Sequence, residues 1–88
     1  MEAKTFQQIR QEFPSQFLVL VDPEEQKIGP STIEVVGAMD VHAYESGEEM
    51  FVAYKNFRKQ GLNVRFCTPQ YKDKFLVEQI PTLGIFGS

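Results

Sequence analysis

Residues 33–57 read IEVVGAMDVHAYESGEEMFVAYKNF, and their periodicity changes once, at Ser46. From Ile33 to Ala43 every second residue is apolar or small: Ile33, Val35, Gly37, Met39, Val41, Ala43. A period of two is that of a strand with one dry face. After Ser46 the apolar residues Met50, Ala53, Tyr54 and Phe57 recur at helical spacing. Ser46 with Glu49 three residues on forms the S-x-x-E capping box, in which each side chain can satisfy a backbone N–H of the other. A long strand that hands over directly to a capped amphipathic helix is therefore expected here.

Upstream, Thr5 and Gln8 make a second capping box ahead of Phe6, Ile9 and Phe13, and Pro14 disfavours helix at the residue before it. The pattern predicts a two-turn helix over residues 6–13. Phe17-Leu18-Val19-Leu20-Val21 is apolar without alternation, as an inner strand covered on both faces would be. Residues 22–31 (DPEEQKIGPS) carry turn chemistry throughout and are expected to connect two strands as a long hairpin loop. Downstream, Gly61 is placed to take the left-handed helix cap. Residues 62–68 alternate again, with Leu62, Val64 and Phe66 on the face toward the helix. Strand, helix, strand with short connections implies a crossover and two parallel strands. Residues 71–74 read as a loop, and Ile80 to Phe86 as a final strand that Pro81 confines to an edge or a bulge.

These readings add up to an α+β fold, a single domain over 1–88. It has a small mixed sheet of about four strands and two helices forming one layer pair, in the order helix-strand-strand-helix-strand-strand. Repeats, low-complexity tracts and linkers are absent from the sequence.

Composition narrows the function classes. One cysteine permits no internal disulfide, which sets the chain apart from small secreted scaffolds and favours a reducing, cytoplasmic setting. The N-terminal residues lack a signal-peptide layout, and no apolar run approaches the roughly 20 residues needed to span a bilayer. A soluble protein is expected. The net charge of −3 is unevenly spread: residues 1–50 hold ten acids and three bases, residues 51–88 six bases and two acids. Helix-end charges account for part of this, because Glu48 and Glu49 open the second helix and Arg58 and Lys59 close it.

No stretch carries a catalytic or ligand-binding motif. The six glycines are scattered and make no phosphate loop. Cys67, the single thiol, would need a cation to stabilise its thiolate, and Arg65 shares its strand face. Against this stands the plain reading of a buried, inert cysteine. Asp40 and His42, with Glu34 on the same face, make at most half a metal site; a polar outer sheet face is the alternative. Lys55, Arg58, Lys59, Arg65, Lys72 and Lys74, with Tyr71 and Phe75 among them, could serve single-stranded nucleic acid, although the acidity of the whole chain weighs against it. No cofactor or metal site is expected.

Two segments resemble known families. Thr5-Phe6-Gln7-Gln8-Ile9-Arg10-Gln11-Glu12-Phe13-Pro14, followed by Phe17 to Val21 and closed by Leu83-Gly84-Ile85-Phe86, resembles a loose group of small bacterial α+β proteins with a T-F-x-x-I-x-x-x-[YF]-P opening. Phe17 stands where that group more often has Trp. The group brings no activity and no functional residues. Ile80-Pro81-Thr82-Leu83 with Phe86 is similar to the I-P-T-L segment of thioredoxins, and Phe17 to Asp22 to the strand before their redox pair. With no C-x-x-C, that resemblance implies at most a redox-inactive thioredoxin-like domain.

The expectation is a non-catalytic module that binds a protein partner or a second copy of itself. The candidate surface is Lys55, Arg58, Lys59, Arg65, Tyr71, Phe75, Ile80, Leu83, Ile85 and Phe86. The alternatives are the thioredoxin-like domain and a weak single-stranded nucleic-acid binder using the basic C-terminal half.

Overall fold

The computed structural model describes residues 3–78. Five strands and two helices follow in the order β1 (Lys4–Thr5), α1 (Phe6–Glu12), β2 (Phe17–Lys27), β3 (Thr32–Tyr44), α2 (Gly47–Lys59), β4 (Val64–Cys67) and β5 (Phe75–Glu78). The sheet runs β1-β3-β2-β4, with β5 also on β3, and every pairing is antiparallel.

The expected strand-to-helix handover is present. Ser46 has extended backbone, and its hydroxyl accepts the Glu49 N–H at 3.2 Å. Only half of the expected box forms. The Glu49 carboxylate accepts from the Ser46 hydroxyl at 3.3 Å and not from its backbone. At α1 both halves of the Thr5–Gln8 box are made. Gly61 takes the predicted left-handed cap at φ +85°.

The helices sit on opposite faces of the sheet, which corrects the expected single layer pair. Phe6 and Ile9 of α1 pack with Leu18, Leu20, Val35, Ala38, Cys67 and Phe75. Met50 of α2 packs with Val19, Val21 and Val64, joined by Ala53, Tyr54 and Phe57. The cause lies in residues 17–21, whose apolar side chains point both ways and need a cover on each side. Each fully buried aliphatic here contributes about 2 kcal/mol.

The mixed sheet is also corrected. β3 and β4 do run in the same direction, but β2 lies between them and pairs antiparallel with both. The α2 crossover therefore spans one strand.

Residues 22–31 are not one long loop. β2 continues to Lys27, and only the turn closed by Ile28 N–H on Thr32 O at 3.0 Å remains. Beyond Asp22 the strand pairs with β3 alone, where a proline is tolerated at position 23.

Nor does β3 keep a single dry face. Val35, Ala38 and Val41 all join the α1-side core, three residues apart, while Met39 is 48% exposed. The register shift between Glu24 and Glu25 leaves Val36 without a partner on β2 and reverses the alternation once. Asp22, with φ +49°, lies across from Met39 in the register, at the level of the second reversal.

The C-terminal strand among the described residues is β5 at Phe75–Glu78, paired with Thr32 to Val35. The strand expected over residues 80–86 lies outside the described residues.

Candidate functional site

β4 lies at the end of the sheet opposite β1, and among the described residues nothing pairs with its outer edge. The inner edge fixes what the outer edge offers. Asp22 N–H donates to Asn63 O at 2.8 Å, which makes that pair a hydrogen-bonded one. Pairs alternate along an antiparallel ladder, so Arg65 and Cys67 also turn their backbone groups toward β2. The N–H and C=O of Val64 and Phe66 are left facing outward.

α2 lays aromatic side chains beside this edge. Phe51 is 44% exposed and Phe66 37% exposed, and their ring centroids are 4.9 Å apart. Tyr54 meets Phe66 edge-on at 5.2 Å. The Arg58 guanidinium lies 5.7 Å from the Tyr54 ring centroid and donates to its hydroxyl at 3.3 Å. Lys55 follows Phe51 by four residues and so stands on the same flank of the helix. Two aromatic rings more than a third exposed, beside a bare strand edge, form an apolar patch with a cationic margin.

A groove of about 330 Å³ runs along the same edge, lined by Arg65, Phe66 and Thr68 on one side and Leu76, Val77 and Glu78 on the other. Consecutive strand residues point to opposite faces. A groove touched by both Arg65 and Phe66 therefore follows the edge of β4. Its floor includes Tyr71 and Phe75, whose rings are 4.7 Å apart. The Thr68 hydroxyl oxygen is buried there without a hydrogen-bond partner among the described residues.

On the α1 face, behind the floor of the groove, the chemistry is closed. Arg10, only 5% exposed, donates from Nε to Tyr71 O at 2.6 Å and from one terminal nitrogen to Phe13 O at 3.0 Å and Gln16 O at 3.1 Å. Its other terminal nitrogen meets Cys67 Sγ at 3.3 Å and the Thr68 carbonyl. Its guanidinium also lies 5.8 Å from the Phe6 ring centroid. Cys67 is fully buried, and burial pushes its thiol up to about 11 although Arg10 pulls the other way. A thiol held neutral in this way is a poor nucleophile near pH 7. Arg65, the cation expected at Cys67, is instead paired with Glu25.

Asp40 and His42 are brought together, with His42 Nε2 at 3.2 Å from Asp40 Oδ2, and His42 stacks on Phe57 at 4.9 Å. Among the described residues no three His, Cys, Asp or Glu side chains converge on a point where a metal could sit.

The residues singled out from sequence are thus dispersed. Lys55 and Arg58 border the patch, and Lys59 is exposed on the last turn of α2. Tyr71 is half-buried, and Phe75, 5% exposed, is core and not surface. Lys72 and Lys74 lie by α1, away from α2. Ile80, Leu83, Ile85 and Phe86 lie outside the described residues. Sequence reasoning missed Phe51 and Phe66 as an exposed pair beside the half-buried Tyr54. The signal was present in Phe51, which lies off the apolar stripe of its own helix.

No family model, no curated protein and no solved structure matches this chain. No helix among the described residues is long and apolar enough to cross a membrane.

Proposed function

We propose that this chain is a non-catalytic protein-interaction module that works through the α2–β4 flank. One observation carries the reading: the exposed rings of Phe51 and Phe66 coincide with a strand edge that has no partner among the described residues. Aromatic side chains are enriched at protein interfaces relative to the rest of the surface. An open strand edge is a template for pairing. The candidate chemical groups favour no catalysis. The thiol is buried and held neutral, and among the described residues no third His, Cys, Asp or Glu converges with Asp40 and His42.

The experiment places a benzophenone photocrosslinker at position 51 and, as a control, at Gln11 on exposed α1. Irradiation in cells should give discrete protein adducts from position 51 and none from position 11. Adducts from neither position, or equally from both, would overturn the reading. Light scattering across a concentration series tells whether the partner is a second copy.

A further inference from the structure

We infer that the β4 edge receives an extended segment of another protein, added as an antiparallel or parallel strand, whose α2-facing side carries a bulky apolar residue next to an acidic one. This deepens the reading above and rests on it.

Backbone groups supply the first requirement. Val64 and Phe66 each present an outward N–H and C=O, the pairing unit that strand addition uses. The groove sets the place, since it follows that edge between Phe66 and Leu76. Side chains set the preference. Phe66, Phe51 and Tyr54 stand on the α2 face of the edge and offer a surface for a bulky apolar side chain. Arg58 and Lys55 border the same face, and neither is in a salt bridge among the described residues. In a strand, residues two apart share a face. An incoming segment therefore needs its apolar and acidic side chains at positions i and i+2.

Lys55 and Arg58, in no salt bridge among the described residues, select an acidic segment. A second copy would bring its own α2 antiparallel, with Glu48 and Glu49 as well as Arg58 and Lys59, and is set apart by the concentration dependence below. Charge argues against nucleic acid. The chain carries −3 overall, Arg65 is neutralised by Glu25, and Lys72 and Lys74 lie elsewhere.

The test is amide hydrogen exchange and chemical-shift mapping on the intact ¹⁵N-labelled chain. The probe is a synthetic peptide of about ten residues alternating Thr with Glu or Phe, long enough for one strand. Three controls accompany it: the same peptide with Glu replaced by Lys, the same peptide N-methylated at alternate residues, and oligo-dT. The acidic peptide should shift Val64 and Phe66 and slow their amide exchange by about tenfold or more when present in roughly tenfold excess over its Kd. The Lys peptide should bind about fivefold more weakly, as expected from losing two exposed ion pairs. The N-methylated peptide should not bind.

Equal binding by the Lys peptide, or no shift at Val64 and Phe66 with the acidic one, overturns the inference. So does oligo-dT binding at the same residues in place of the peptide. Protection of these amides in the dilute free protein would assign the edge to an occupant within the chain. Protection that grows with protein concentration would assign it to a second copy. If peptides fail while position 51 still crosslinks to a partner, the interaction reading stands and only the strand-addition inference falls.

Discussion

A terminal guanidinium nitrogen of Arg10 lies 3.3 Å from Sγ of Cys67, fifty-seven residues further along the chain, with both side chains buried. The guanidinium has no carboxylate beside it among the described residues. Its charge is spread over the carbonyls of Phe13, Gln16, Thr68 and Tyr71, so α1, the turn after it and the segment after β4 share one hub. Arg10→Met keeps much of the volume but strips those carbonyls of their donor. Each buried polar group left unpaired costs about 1–3 kcal/mol. A loss of about 3 kcal/mol or more in urea unfolding is expected, with Arg10→Lys falling short of full rescue because an ammonium cannot fan out to the same acceptors. A loss under about 1 kcal/mol would mean that water replaces the guanidinium at no cost.

The same pair gives the fold an alkaline limit. Burial raises the Cys67 thiol from 9.0 to about 11, so the native state holds this proton more tightly than the unfolded chain does. The stabilising effect is whole below pH 9 and is lost as pH rises toward 11. Each titrating proton changes stability by about 1.4 kcal/mol per pH unit across that window. Tyr44 is also raised by burial and would add to the trend, but it is common to wild type and Cys67→Ala. The difference in unfolding free energy between the two should therefore shrink from pH 9 to pH 11. A difference that stays flat would show that the thiol is not held neutral.

Much of this architecture was legible because local chemistry and packing agreed. Ser46, Gly61 and the Thr5–Gln8 box mark helix ends by rules that act within a few residues, and all three do so here. The two-sided burial of residues 17–21 was legible in its lack of alternation. Its consequence, one helix on each face, is a matter of how elements assemble, which periodicity does not encode. The reversals of face along β3 depend on a register shift against another strand, and nothing in residues 33–43 alone announces it. Arg10 follows Phe6 by four residues and precedes Phe13 by three, which puts it on the buried side of α1. Helical spacing gives that side of α1, but it does not say which carbonyls from elsewhere in the chain would meet a guanidinium there.

Gly37 tests the β1–β3 contact. It pairs with Thr5, and a Cβ added at Gly37 would run into the Lys4 carbonyl oxygen, a backbone atom that cannot swing aside. Gly37→Ala should cost about 1–3 kcal/mol through overpacking. The cost should be local as well, with the amides of Lys4 and Thr5 losing exchange protection before those of β2. Gly29→Ala, where only ordinary contacts with Thr32 would form, serves as the control. Equal effects at both sites would sink the argument from close approach.

Adjacent residues of α2 separate fold from function. Met50 is 1% exposed and packs with Val19, Val21 and Val64, whereas Phe51 is 44% exposed and touches Phe66. Met50→Ala should cost about 2–5 kcal/mol, the range for emptying a buried site. Phe51→Ser removes one exposed aromatic pair, worth about 1 kcal/mol, and should leave the fold intact. If the α2–β4 flank binds a partner, the order reverses in a binding assay. Phe51→Ser then abolishes peptide-induced shifts at Val64 and Phe66, while Met50→Ala retains them at temperatures where it remains folded. Should Phe51→Ser destabilise the protein as much as Met50→Ala, the ring would be structural, and the exposed patch would lose its claim to be an interface.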